Sequence, residues 1–189
     1  MTVDEIFRDL AKHSLDGVMV HEEMSTYYRF LNFKGYSRMH EYHMAKEYCG
    51  YKKLCRYYMS RYHRIIPKHV PEQQNVIPDT WYNYKQIDVD ANTKRKAVKS
   101  GLEKWVLWEQ ETKDFYQKMH HELCEIGETA AAMFLADYIR EVDHELSKAE
   151  SYHITKNTND YSLAMIEEEQ KKKHHDYKEK ISCVGKMLC

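Results

Sequence analysis

The sequence predicts an all-α protein, built as a four-helix bundle of two antiparallel hairpins joined by a long crossover, with a fifth helix after it. Only 6 Gly and 3 Pro occur in 189 residues. All three prolines, Pro67, Pro71 and Pro78, fall in one short window, so nearly everything else can run as uninterrupted helix. Apolar residues recur at helical spacing on both sides of that window. A chain of this length is expected to form one domain around a substantial core.

Charge and composition narrow the function classes. The chain has 29 basic and 30 acidic residues and a formal net charge of −1, so nucleic-acid binding is unsupported and no overall field favours an anionic membrane. No apolar run approaches the roughly 18 residues that span a bilayer, and the opening MTVDEIFRDL does not resemble a signal peptide. We expect a cytoplasmic protein. The 5 cysteines are odd in number, which indicates reduced thiols rather than a disulfide framework.

The first hairpin precedes the prolines. Apolar residues at helical spacing predict a first helix over about residues 3–32. The sequence FKGY breaks this helix, and Ser37 is the expected N-cap of a second helix that runs to Ile66, because Pro67 cannot continue it. The turn is short, so the two helices should be antiparallel neighbours.

The second hairpin follows a crossover over residues 67–90. A third helix is predicted over about residues 92–126, and Gly127 ends it. Thr129 is the expected N-cap of a fourth helix, which closes the hairpin. Two long hairpins joined by one long crossover form a four-helix bundle.

A fifth helix is predicted over about residues 163–180, after a polar break. Its EEEQKKKHH stretch is charged nearly all round, so we expect solvated surface or an intersubunit contact rather than core. We therefore divide the chain into a bundle, residues 1–160, and a charged C-terminal helix and tail, residues 161–189.

Two glutamates are expected to lie level in the first hairpin. Residues equally far from the connecting turn have equal depth in antiparallel helices, since each residue rises about 1.5 Å. Glu23 lies 12 residues before Gly35, and Glu47 lies 12 residues after it.

The second hairpin offers matching acids. Glu141 lies 12 residues after Thr129, and His144 follows one turn later on the same face. Counting back from the turn along the third helix reaches Glu109 and Glu111, and Glu109 lies on the apolar stripe of that helix. The carboxylate of Glu109 should therefore point into the core.

Four acids at one depth indicate a metal site. Four buried carboxylates without compensation would cost many kcal/mol, so they would be protonated or bound to cations, and two divalent metals would offset the cost. Taken singly, each acid is more often part of a solvated helix face. A one-residue error in register would substitute Glu22 or Asp143.

Four stretches between residues 18 and 150 resemble the ferritin family in their order and helix placement. The first two are similar to the metal-binding parts of its first and second helices, and the last two to parts of its third and fourth helices. The stretches are EMSTYYRFL from Glu23, EYCGYKKL from Glu47, WVLWE ending at Glu109, and FLADYIREVDH ending at His144.

The resemblance implies a ferritin-like four-helix bundle with a di-iron carboxylate site. Glu23 and Glu109 would be terminal ligands, Glu47 and Glu141 would bridge, and His144 would cap one metal. Iron, or manganese, suits such a ligand set. The implied activity is ferroxidase chemistry, in which Fe(II) is oxidised and stored in a homo-oligomer.

One departure from the family motif leaves alternatives open. Gly50 stands where the second-helix motif has histidine. His43, one turn before Glu47, is a substitute from the other side, although a surface histidine is the commoner interpretation. Because of this departure, two alternatives stay open. The chain is either a degenerate bundle that acts as a structural or interaction module, or a di-metal oxidase of an organic substrate bound near the 67–90 crossover.

Overall fold

The computed structural model describes residues 1–72, 85, 89–156 and 160–173, with the backbone alone for 154–156 and 160–163. All the regular secondary structure of these residues is helical, which confirms the predicted fold class. None of the described helices is long and apolar enough to cross a bilayer. The helices are α1 (Val3–Phe30), α2 (Lys34–Tyr62), α3 (Ala91–Glu125), α4 (Thr129–Lys156) and α5 (Asp160–Lys172).

The four long helices pair as two hairpins, α1 with α2 and α3 with α4. The amino group of Met1 lies 3.4 Å from Glu122 near the end of α3, so α1 and α3 are antiparallel neighbours. The connection from α2 to α3 therefore has to span the length of the bundle. Much of the crossover, residues 73–84 and 86–88, lies outside the described residues. In its described part, His69 lines a cavity together with residues of α2.

The turn of the first hairpin differs from the prediction. α2 begins at Lys34, and Ser37 is not its N-cap but a buried residue whose hydroxyl lies 3.1 Å from that of Ser25. Asn32 has φ 66° directly after α1, so the chain reverses there and not at Gly35. The centre of the hairpin is therefore about three residues earlier than the prediction assumed.

The other helix ends follow local signals. α2 ends at Tyr62, before the predicted Ile66, because His63 adopts the left-handed conformation with φ 53°. The side chain of Asp90 accepts a 2.9 Å hydrogen bond from the backbone N–H of Thr93 and caps α3. Gly127, with φ 78°, ends the third helix as predicted, whereas Thr129 is the first residue of α4 rather than its cap.

The fifth helix packs one face on the bundle, whereas the sequence predicted solvated surface or an intersubunit contact rather than core. Ile166, Glu167 and Gln170 are buried. The two carboxylate oxygens of Glu167 accept hydrogen bonds from the backbone N–H groups of Gly35, at 2.8 Å, and Tyr36, at 3.0 Å. A carboxylate from α5 thus caps the N-terminus of α2, where no side chain of that hairpin does so. Residues 174–180 of the predicted helix lie outside the described part.

The core of the bundle has two apolar ends and a polar middle. One cluster, which includes Met24 and Trp105, fills the end near the α1–α2 turn. The other, which includes Phe7 and Leu123, fills the end near the α3–α4 turn. Between them all four long helices place polar side chains inside; these are Ser14, His21, His40, His43, Glu47, Glu109, Thr112 and Glu145.

Candidate metal centre

Four glutamates surround a small cavity within the polar middle of the bundle. The cavity has a volume of about 30 Å³, enough for a water molecule or a single cation. The acidic residues that line it come from α2, α3 and α4, and His43 lies beside them. They are Glu47, Glu109, Glu141 and Glu145. We call this group the four-glutamate cavity.

Glu47 and Glu109 hold their protons unusually strongly. Burial, reinforced by the nearby charge of Glu109, raises the pKa of Glu47 to about 8. Burial also raises the pKa of Glu109 to about 7, although the indole N–H of Trp105 donates a 2.8 Å hydrogen bond to its carboxylate and opposes the shift. At neutral pH Glu47 is therefore mostly protonated and Glu109 partly protonated, and a cation bound beside them would favour their charged forms.

Two lysines supply positive charge on the other side of the cavity. The ammonium of Lys46 lies 2.5 Å from one oxygen of Glu145, and that of Lys148 lies 3.7 Å from the other. Burial lowers the pKa of Lys46, but the charge of Glu145, its hydrogen bond with Lys46 and the charge of Glu141 together outweigh burial, so the pKa is raised. Burial lowers the pKa of Lys148, whose nitrogen is also 3.1 Å from Nε2 of His43.

Three histidines form a sealed cluster next to the cavity. His21, His40 and His43 are at most 2% exposed, and Nδ1 of His21 lies 3.0 Å from Nδ1 of His40. Burial lowers the pKa of His21 to about 3 and moves the pKa values of the other two well below the usual range. Nε2 of His21 and Nε2 of His40 have no hydrogen-bond partner among the described residues.

The predicted ligands separate into two groups. Glu47, Glu109 and Glu141 line the same cavity, with Glu141 exposed at its outer side. Glu23 is half-buried on α1 and His144 is exposed on α4, and neither lines it.

The position of the turn explains why α1 brings no carboxylate to the cavity. A Cβ atom built on Gly17 would lie 3.1 Å from the side chain of Glu47, so Gly17 is level with it. Glu23 lies six residues further along the helix, about 9 Å away along the axis. The chain reverses at Asn32, three residues before Gly35. This moves the residue of α1 that lies level with Glu47 by six positions, from Glu23 to Gly17.

The register alternatives also lie outside the cavity. Glu22 is exposed, and the exposed carboxylate of Asp143 lies 2.8 Å from the ammonium of Lys113. Glu111 is exposed as well. All three belong to the outer surface of the bundle.

Sequence reasoning missed three of the residues at this depth and misplaced a fourth. His43, expected on the helix surface, is 2% exposed because it faces His21 and Trp105. His21 continues the buried stripe of α1 at helical spacing between Gly17 and Met24. His40 and Glu145 likewise lie on the buried faces of α2 and α4. The helical spacing of these buried faces was the signal in the sequence by which the three missed residues could have been found.

The space near Gly50 is partly filled by a tyrosine from α4. The hydroxyl of Tyr138 donates a 2.7 Å hydrogen bond to the carbonyl oxygen of Gly50. A Cβ atom on Gly50 would lie 3.4 Å from the Tyr138 ring. Tyr138 therefore occupies part of the space beside Gly50.

The arrangement has the composition of a metal centre, but its side chains are spread. Among the described residues, no three His, Cys, Asp or Glu side chains are grouped closely enough to hold an ion as they stand. One of the carboxylates, that of Glu145, is already paired with the ammonium of Lys46. A cation that displaced Lys46 would let the carboxylates approach one another.

Comparison with known proteins supports the fold. No protein-family model matches the sequence, and no curated protein matches it. Two archaeal ferritins are similar in structure, each with a TM-score of 0.71 and covering 90% of this chain. One is a closed form of the Archaeoglobus fulgidus ferritin engineered by site-directed mutagenesis, 14% identical over 96% of its length. The other is a humanized archaeal ferritin, 13% identical over 95% of its length. The chain therefore has the ferritin-like four-helix-bundle fold.

Proposed function

We propose that the four-glutamate cavity binds Fe(II) and promotes its oxidation to Fe(III), in a homo-oligomer that stores the product. The observation that supports this proposal is the placement of four carboxylates from three helices around one small interior cavity. Carboxylates are rarely buried together unless a cation joins them, because the cost of removing several like charges from water is large.

The ligand set differs in part from the one that the sequence predicts. Glu47, Glu109, Glu141 and Glu145 would hold the metal through oxygen, with His43 as the nitrogen ligand. Such a mixture suits iron or manganese. Each bound ferrous ion would give one electron to dioxygen, the oxidant, and the carboxylates would stabilise the higher charge of the ferric product.

The protonated carboxyl groups have a second role in this proposal. Because the pKa values of Glu47 and Glu109 are about 8 and about 7, these groups carry protons at neutral pH that a divalent cation would displace. Metal binding should therefore release protons and become tighter as the pH rises from about 6 to 8. The ammonium of Lys46 must also leave Glu145, since both cations compete for the same carboxylate.

A degenerate bundle that serves as a structural or interaction module is the second candidate. Lys46 and Lys148 already place positive charge beside Glu145. Gly17 and Gly50 stand at two positions where side chains would otherwise reach the cavity. In this alternative the lysines replace the metal permanently.

Metal titration of the full chain distinguishes the two candidates. Metal-free protein is titrated with Fe(II) without oxygen, and oxygen consumption is then measured. We expect saturable binding that the double substitution Glu47→Ala and Glu109→Ala weakens at least about ten-fold, equivalent to about 1.4 kcal/mol. Glu23→Ala and His144→Ala are matched controls, because these residues lie outside the cavity.

Two results would contradict the iron proposal. If the control substitutions weaken Fe(II) binding as much as the cavity substitutions do, the iron binds on the outer surface. No binding by a folded wild-type chain would favour the degenerate module. Circular dichroism of each variant establishes that the bundle is intact before binding is compared.

A further inference from the structure

A second and larger cavity opens between α2 and α4, next to the four-glutamate cavity. Its volume is about 350 Å³, within the range of about 300–1,000 Å³ typical of small-molecule sites. Both cavities share Lys46, Gly50, Tyr138 and Glu141 in their walls. α2 and α4 approach each other less closely than α1 and α3 do, which leaves this space between them.

The absence of a side chain at Gly50 keeps the larger cavity open. Gly50 lies in the middle of α2 and is part of its wall. In a helix interior glycine is less stable than alanine by roughly 0.5–1 kcal/mol, so its position here calls for a reason. A Cβ atom would meet the Tyr138 ring at an ordinary 3.4 Å, so close backbone packing does not demand glycine. We therefore attribute the glycine at position 50 to the open space of the larger cavity.

Aromatic rings form the inner walls. Tyr42 comes from α2, and Phe134 and Tyr138 come from α4 with ring centroids 5.4 Å apart. Flat rings lining a cavity of this size favour a ligand with an aromatic body, which can stack against them.

Basic side chains outnumber acidic ones in the wall of the cavity. Lys46, Lys53 and Arg56 line it from α2. Asp137 and Glu141 line it from α4, and two of these five side chains are in ion pairs outside the set, Lys46 with Glu145 and Asp137 with Arg140. A guanidinium near an ammonium is suited to a carboxylate, because Arg can bind both carboxylate oxygens.

We propose that this second cavity binds a small aromatic carboxylate, with its ring against Phe134 and Tyr138 and its charged group at Lys53 and Arg56. The ring would lie over Gly50, next to the four-glutamate cavity. This proposal is independent of iron binding, because none of the contacts it uses requires a metal.

Calorimetric titration of the metal-free full chain with 2-naphthoate tests the proposal. We expect saturable binding at one site, at least about ten-fold tighter than that of the neutral analogue 2-naphthamide, because only the acid forms charge-assisted hydrogen bonds. Acetate, which lacks the ring, should bind far more weakly. Equal binding of acid and amide, or no saturable binding of 2-naphthoate, would overturn the proposal.

Variants locate the ligand. The pair Lys53→Gln and Arg56→Gln should weaken 2-naphthoate binding about ten-fold or more. Lys52→Gln is the matched control, since Lys52 is a neighbouring lysine of α2 whose ammonium lies 5.9 Å over the Tyr48 ring and which lines a different cavity. An equal loss with Lys52→Gln would indicate diffuse surface charge and contradict the proposal.

Filling the cavity gives an independent result. Gly50→Leu should abolish 2-naphthoate binding, with an unchanged helical circular dichroism spectrum showing that the bundle has formed. Undiminished binding by this variant would overturn the proposed location. If Gly50→Leu does not fold, the exposed Lys53 and Arg56 variants decide the question. Fe(II) binding is measured separately, so failure of one proposal is distinguishable from failure of the other.

Discussion

The polar middle of the bundle has two sides that respond to burial in opposite ways. On the carboxylate side, Glu47 and Glu109 border a cavity, and their pKa values are raised. On the imidazole side, His21 and His40 are sealed among aromatic rings, and their pKa values are lowered. Burial removes charge from both sides, but only the carboxylate side has space for a cation to restore it. The difference indicates where the protein can accept charge.

The largest effect is expected from removing packing on the imidazole side. His40 is 0% exposed, stacks on Tyr28 with ring centroids 5.3 Å apart, and meets the edge of Trp105. His40→Ala should lower the free energy of unfolding by about 2–4 kcal/mol, since it leaves a cavity and a His21 nitrogen without its partner. Urea unfolding of metal-free protein at pH 6.5 measures this change.

Glu47→Gln is the counterpart on the carboxylate side. The amide resembles the protonated carboxyl group that burial favours, so the free energy of unfolding should change by less than about 1 kcal/mol at pH 6.5. Equal losses for His40→Ala and Glu47→Gln would show that the two sides are packed alike, against the comparison drawn above.

The free energy of unfolding should depend on pH in opposite ways for the carboxylate side and the imidazole side. A carboxyl group whose folded pKa is raised from 4.5 to about 8 favours the folded state below pH 4.5, and this stabilisation is lost as the pH rises towards 8. A histidine whose pKa is lowered from 6.5 to about 3 binds its proton in the unfolded state first, so stability is lost as the pH falls below 6.5. Metal-free protein should therefore be most stable near pH 6.5.

Substitutions show which groups cause the loss of stability above pH 6.5 and which cause the loss below it. Raising the pH from 6.5 to 8.5 should cost the wild type on the order of 1–3 kcal/mol, and Glu47→Gln with Glu109→Gln should remove most of this loss. The acid limb should persist in that variant, because the histidines are unchanged. Chemical unfolding across the pH range measures both limbs, and an alkaline loss that survives the double substitution would contradict the assignment to these two groups.

The sequence predicted the carboxylate side better than the imidazole side, for a physical reason. Glu109 falls on the apolar stripe of α3, so its inward direction follows from helical spacing alone. The level of Glu23 depended on where the first hairpin reverses, and Asn32 rather than Gly35 is the reversal point. The sequence does not reveal that α5 supplies the cap of α2 through Glu167, which lets the helix begin at Lys34. A long-range contact thus decided a local boundary.

The burial of the three histidines on the imidazole side was not predicted, because of their residue type. Histidines are usually partly exposed, so His43 was assigned to the surface, whereas it is enclosed by His21, His40 and Trp105. Neutral imidazoles can replace apolar groups in a core when other rings stack on them. Helical spacing can place each histidine on the buried face of its own helix, but it does not reveal that three such residues from two helices meet.

Removing the existing cation should have an intermediate effect. Lys46 lies 2.5 Å from Glu145, and Lys46→Met leaves that buried carboxylate with the more distant Lys148. We expect the metal-free protein to lose about 1–2 kcal/mol of stability, because a charged hydrogen bond is removed from a partly buried site. If the carboxylate side accepts iron, the same substitution should tighten Fe(II) binding.

Lys113→Met is the matched control for this substitution. The ammonium of Lys113 lies 2.8 Å from Asp143, but the pair is on the outer surface, so its loss should change little. Unfolding with and without Fe(II) gives both quantities for each variant. Tighter Fe(II) binding by Lys113→Met as well would mean that the net charge, rather than competition for Glu145, controls the affinity.

The smallest effect tests whether the carboxylate side has room. A Cβ atom on Gly17 would lie 3.1 Å from Glu47, whose side chain borders the cavity and can move into it. Gly17→Ala should therefore raise the free energy of unfolding by about 0.5–1 kcal/mol, the gain typical of alanine in a helix interior. Urea unfolding at pH 6.5 resolves a change of this size.

Gly101→Ala is the corresponding change beside the imidazole side. Its Cβ atom would lie 2.4 Å from the hydroxyl oxygen of Tyr28, a fully buried residue stacked on His40. With no space for the ring to move, the variant should lose about 1–3 kcal/mol of stability. Opposite signs for the two glycine variants follow if only one side has free space. A loss in both would mean that Glu47 is held as rigidly as Tyr28, and the carboxylates then could not close around a cation.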